Sequence, residues 1–165
     1  MPGRPYRDFD FASETAGAAF DCAGLLNRSP HNTGLEELPP LASVDLWYGA
    51  TRSAEFPELG TGGVAPMAGP VYHFDDDLES SVKWPESYDE GALFYEWTRD
   101  AIFVLRLTEE GALDSIERPA DALPVDNPID MEFGPDGALY VLEYGDGYYR
   151  ANSEAQLARF DYVRD

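Results

Sequence analysis

Cysteine, lysine and histidine are almost missing from this 165-residue chain, which has one cysteine, one lysine and two histidines. A lone Cys22 cannot staple the chain internally, so it is a buried thiol, a reactive one, or half of a disulfide whose partner lies elsewhere. Reactivity requires a cationic or helix-terminal setting, and only Arg28 stands near it. His31 lies in a Ser-Pro-His-Asn turn and His73 beside Asp75, Asp76 and Asp77, with no second histidine or cysteine close enough to pair as zinc ligands. That acidic run lacks the Asp-x-Asp-x-Asp-Gly spacing of a calcium loop, so it reads as a solvated turn and no metal ligands are assigned. No stretch approaches the ~20 apolar residues of a membrane span. The opening MPGRPYRDFDF has no apolar core of the kind a signal peptide needs.

Positive charge is equally scarce. Eleven Lys+Arg stand against 32 Asp+Glu, a formal net charge of -21. Nucleic acid is excluded as a partner because phosphate binding needs a basic footprint, and an anionic membrane surface is disfavoured for the same reason. Lys83 is the only lysine and every other cation is an arginine. An acidic, lysine-poor surface suits concentrated salt, where counterions screen self-repulsion; an acidic secreted protein is the competing reading. Salt adaptation predicts that the melting temperature falls as KCl is withdrawn from molar to millimolar concentration. An unchanged melting temperature would remove that reading.

What the sequence does have is apolar content sufficient for a core, at 44% of residues, and regular turns. Thirteen prolines and fifteen glycines leave few windows with a helical period. Short strands are predicted at Val44–Tyr48, Pro70–Phe74, Gly91–Trp97, Ala101–Leu107, Leu113–Arg118, Ile129–Phe133, Ala138–Tyr144 and Leu157–Val163, separated by turns such as Gly134-Pro135-Asp136-Gly137. Gly91-Ala92-Leu93 and Gly137-Ala138-Leu139 each open an aromatic strand that carries a glutamate. A period of about 40 to 50 residues with four strands per unit marks a β-propeller blade. A small β-sandwich with look-alike hairpins is the alternative. The expected fold is therefore all-β: a partial β-propeller of two to three four-stranded blades at residues 44–165, preceded by an irregular loop or insertion at residues 1–43. Exposed blade edges predict self-association unless further blades cover them.

Ser29-Pro30-His31-Asn32-Thr33-Gly34, Glu55 to Gly63, Ala68-Gly69-Pro70-Val71-Tyr72, Leu93 to Trp97 and Pro128 to Tyr140 resemble the glucose/sorbosone dehydrogenase family, and more narrowly its large secreted members. The resemblance covers the chain as the carboxyl-terminal portion of a six-bladed propeller domain, with the other blades upstream. It implies an extracellular or cell-envelope location, pairing of Cys22 with a cysteine just upstream of residue 1, and oxidation of aldoses or related sugars with pyrroloquinoline quinone and calcium. The base histidine and the calcium ligands would also lie upstream. The family's two cofactor-contacting arginines fall at Asn127 and Ile129, its lysine near Thr98 with Arg99 as the adjacent cation, and its quinone-covering aromatic pair at Glu58 and Thr61. Asparagine and isoleucine supply no charge for the quinone's carboxylates. These departures favour the alternative of a non-catalytic carbohydrate-binding or interaction propeller.

Six residues follow as candidates. Glu96 and Trp97, at the end of a blade strand, and Glu143, at the matching point of the next, are read as sugar-binding groups, since carboxylates bind hydroxyls and an indole stacks on a pyranose ring. Arg99, Asn127 and the inner-strand carboxylate Asp130 are read as cofactor contacts.

Overall fold

The structure, a computed structural model of the chain, describes residues 7–10, 12–19, 24–27, 29–40, 44–119, 123–146 and 152–163. Cys22 and Arg28 lie outside the described residues. Two compact units divide between Trp47 and Tyr48.

In the first unit, where sequence pattern predicts irregular chain, β1 (Arg7–Asp10) and β2 (Thr15–Ala19) form an antiparallel hairpin with a bulge between Arg7 and Phe9. Apart from Phe9 its strand residues are small or polar, and all are exposed, so no apolar alternation announces them. Local hydrogen bonds define the hairpin instead: the Asp10 carboxylate accepts from the amides of Ala12 and Ser13 and closes the turn. Further along, Asn32 ties a loop together by donating to the carbonyls of Asn27 and Leu35 and accepting from Gly34 N. The strand expected at Val44–Tyr48 does not form. Val44 and Trp47 remain exposed, and only Tyr48 is buried.

The second unit holds two antiparallel meanders. The first sheet is four-stranded: β3 (Pro66–Val71), β4 (Ala92–Glu96), β5 (Ala101–Leu107) and β6 (Leu113–Glu117), in chain order. The second is three-stranded: β7 (Pro128–Phe133), β8 (Leu139–Glu143) and β9 (Gln156–Phe160). Neither sheet closes on itself, and the described residues include no α-helix. Four strands per unit are thus met in the first sheet, while the second has three among the described residues. β3 starts four residues earlier than the turn pattern indicates, because Pro66 occupies its first position and Pro70 sits in a register shift between Ala68 and Val71, places where a missing N–H is tolerated.

Period-2 alternation sends one face of each sheet into a shared core. Leu93, Tyr95, Ile102 and Val104 of the first sheet pack with Met131, Leu139 and Val141 of the second, and Trp84 and Tyr72 seal one end. The first strands of the two sheets, β3 and β7, are in contact. Gly69 permits the approach, since a Cβ there would lie 2.8 Å from the Met131 sulfur. Polar links cross the same interface: Tyr95 donates to the Ile129 carbonyl at 2.7 Å, and Ser80 to that of Asp136 at 2.6 Å.

Residues 72–91, between β3 and β4, wrap the end of the second sheet. Trp84 N donates to Gly137 O, and Tyr162 N to Val82 O. Lys83, the lone lysine, is buried, donates to the Asp75 carbonyl and lies 4.3 Å from the centre of the Phe74 ring. Gly137, at φ +76°, passes beneath it; a Cβ would stand 2.4 Å from that of Lys83. Among the described residues no helix is long and apolar enough to cross a membrane.

Candidate functional site

The end of β4 is a sealed polar knot. Glu96 is fully buried, and a single turn of 3-10 helix, Trp97–Arg99, follows it, with Asp100 left-handed at φ 50° before β5 begins. The Glu96 Oε2 accepts from Thr98 N at 3.2 Å and Thr98 Oγ1 at 2.8 Å, capping that turn. Its Oε1 accepts from the Tyr48 hydroxyl at 3.0 Å and from Ala65 N. Four donors saturate the carboxylate.

Arg99 is engaged through all three of its nitrogens. Its side chain is 3% exposed and its Nε stands 4.0 Å from Glu96 Oε1. The guanidinium donates to three backbone carbonyls, Gly63 at 2.8 Å, Leu59 at 2.7 Å and Gly49 at 2.8 Å, and lies 4.7 Å from the centre of the Tyr48 ring. Residues 49–65 are thereby stapled across the β4–β5 turn. The glycines of Gly60-Thr61-Gly62-Gly63 serve this approach: a Cβ on Gly63 would sit 2.4 Å from Thr98 Oγ1, and one on Gly62 would sit 3.2 Å from Arg99 Cγ.

Burial first, and then the Glu96 charge beside it, push the Tyr48 phenol far above its ordinary range. A raised folded-state pKa contributes stability that is present below the unfolded pKa and lost as pH rises toward the folded one. Denaturant midpoints should therefore decline from about pH 10 upward, the ordinary phenol value. Tyr48→Phe should flatten that decline, although Tyr72, Tyr95 and Tyr140 are also raised. Identical pH slopes for the two proteins would reject the assignment.

Glu143 repeats the Glu96 arrangement in the second sheet. Pro66 pairs with Glu96 across β3 and β4, and Pro128 with Glu143 across β7 and β8. Each glutamate accepts a backbone amide just ahead of its sheet's first strand, Ala65 N for Glu96 and Asp126 N at 3.1 Å for Glu143. Glu143 is 2% exposed, and its other oxygen accepts from Gln156 Nε2 at 2.7 Å. Burial, followed by the charges of Asp100, Asp146, Glu143 and Glu154, holds the neighbouring Asp126 carboxyl above its usual range.

The remaining candidates are distributed between the sheets. Asn127, left-handed at φ 46°, accepts the turn into β7: its amide nitrogen donates to Trp97 O at 2.7 Å and its backbone N–H to Asp100 Oδ1 at 2.8 Å. Trp97 stands edge-on to Tyr144, with ring centres 6.2 Å apart. Asp130 is exposed on β7, where its carboxylate accepts from Met131 N at 2.9 Å. It lies in a shallow groove with Glu132, Tyr140, Leu142 and Leu157, on the sheet face turned away from the core.

The structure therefore brings Glu96 and Arg99 together, links Trp97 to Asn127, and places Asp130 apart. Tyr48 and Ala65, which complete the knot, carry no local sequence signal, because they meet Glu96 from segments that only the fold brings together, whereas Thr98 is its neighbour in the turn that Glu96 caps. The set does not suit a tricarboxylate quinone. Each guanidinium nitrogen of Arg99 already donates to a backbone carbonyl, Asn127 is occupied in bridging the sheets, and Asp130 adds an anion where the ligand is itself anionic. Among the described residues no group of three or more His, Cys, Asp or Glu side chains is placed to hold a metal ion. Compared with protein-family models, curated proteins and solved structures, the chain has no match.

Proposed function

We propose that the chain is two successive blades of a β-propeller acting as a non-catalytic binding scaffold, with carbohydrate as the ligand class that the family resemblance implies. The supporting observation is the engagement of Glu96, Arg99, Asn127 and Glu143 by the chain's own donors and acceptors. Groups bound in this way hold blades together and cannot turn toward a substrate without leaving buried partners unpaired. The blade reading draws on the repeated Pro–Glu pairing and on the shared core between consecutive meanders, whose first strands lie adjacent.

A direct test is to incubate the chain with pyrroloquinoline quinone and calcium, pass it through gel filtration and record cofactor absorbance and dye reduction with aldoses. We expect no retained quinone and no reduction. Retention with aldose-dependent reduction would overturn the scaffold reading and restore a quinone-dependent sugar oxidoreductase. Retardation on immobilised polysaccharide tests the ligand class separately.

A further inference from the structure

A second feature is unrelated to the Glu96 knot. Between the end of β9 and the segment after β6 lies a cleft of about 210 Å³ lined by Trp84, Tyr88, Leu123, Phe160, Asp161 and Tyr162. Pro119 and Val163 complete the lining; four of the eight residues are aromatic, and the carboxylate of Asp161 is the one formal charge among them. This volume is below the roughly 300 to 1,000 Å³ of sites for drug-sized molecules, so the cleft suits a group of only a few heavy atoms.

The aromatic walls are held in place from behind. Trp84 packs edge-on against Phe133 at 5.3 Å and tilted against Tyr88 at 5.0 Å, while its carbonyl accepts from the Tyr72 hydroxyl. Tyr162 is anchored through its amide to Val82 O. Tyr88 is backed by Arg106, whose guanidinium lies 5.5 Å from the ring centre and is itself tied to Glu117, Asp89 O and Ser87 O. Arg159 orients the Asp161 carboxylate at 2.7 Å.

We propose that this cleft binds a small alkylated ammonium cation, such as a quaternary ammonium group. Two observations converge on that chemistry. Clustered aromatic faces attract a cation through their quadrupoles, most strongly where water is excluded. An exposed carboxylate at the rim and a chain of net charge -21 favour cations over anions at the entrance.

Choline and its uncharged isostere 3,3-dimethyl-1-butanol separate this proposal from simple apolar binding. Titrated calorimetrically into the full chain, choline should bind with a Kd on the order of 1 mM and the alcohol at least tenfold more weakly, about 1.4 kcal/mol. Tyr162→Ala should reduce choline affinity tenfold or more, and Asp161→Asn several-fold. Asp161 is exposed, so that second variant keeps the fold should Tyr162→Ala not. Equal binding of choline and the alcohol, no binding of choline, or choline affinity unchanged in Asp161→Asn would each overturn the proposal.

Discussion

Replacing Glu96 by alanine is expected to destabilise the chain by about 3 to 5 kcal/mol, because it strips a buried ion pair of one partner. The variant leaves the Tyr48 hydroxyl, Ala65 N and Thr98 N without their acceptor and leaves Arg99 as a buried cation with no anion beside it. At about 2 to 4 °C per kcal/mol for a chain of this size, the melting temperature should drop by roughly 6 to 20 °C. Glu143→Ala provides the internal comparison. It holds the equivalent position but has two acceptor contacts and no salt bridge among the described residues, so about 1 to 3 kcal/mol is expected. A third variant separates charge from packing. Replacing both Glu96 and Arg99 with apolar residues of similar volume should recover part of the loss, since removing a buried pair is cheaper than breaking it. Thermal denaturation of the three variants decides the matter; a Glu96→Ala loss no larger than that of Glu143→Ala would show that the knot does not hold residues 49–65 in place.

Phe103→Ala should cost a comparable 3 to 5 kcal/mol, roughly, through the cavity it leaves. Phe103 is completely buried in the middle of β5, directly across from Phe94 on β4, with the rings stacked at 4.8 Å and 16°. Arg118 lies 4.9 Å from the Phe103 ring centre, so the truncation also removes a cation–π partner. Phe103→Leu preserves most of the volume and should cost less than about 1.5 kcal/mol. Denaturant midpoints at constant slope give both numbers; equal losses for Ala and Leu would mean that stacking rather than volume governs the site.

Legibility varied with how local the determining interactions are. β5 was readable to the residue, because Ala101–Leu107 is a β-rich run between a turn and the Glu109-Glu110-Gly111 break. β4, β6, β7 and β8 were located within a residue or two at each end for the same reason. The β1–β2 hairpin was not legible, since its order rests on Asp10 capping and not on burial. The expected strand at Val44–Tyr48 was misread because apolar composition alone cannot supply a pairing partner.

The candidate residues divide along the same line. That Glu96 and Glu143 occupy matching points was visible in the two Gly-Ala-Leu triplets, 46 residues apart, each followed by an aromatic strand that carries a glutamate. That both are inward-facing structural acceptors was not, since either a sugar or a backbone amide satisfies a carboxylate equally well on paper. Arg99 likewise suggested an anion-binding fork, and its three carbonyl partners come from residues 36, 40 and 50 positions away.

By itself the amino-acid sequence determined the all-β character, the strand and turn rhythm, the internal repeat and the strongly acidic charge, because alternation, proline and glycine placement and charge counts act over a few neighbouring residues. Tertiary structure alone decided what the polar residues do. Whether a buried glutamate or arginine is a ligand site or a structural clamp depends on which donors and acceptors reach it, and here those come from loops remote in the chain. Desolvation makes an unmet hydrogen bond costly at such positions, so the fold fills each one from within.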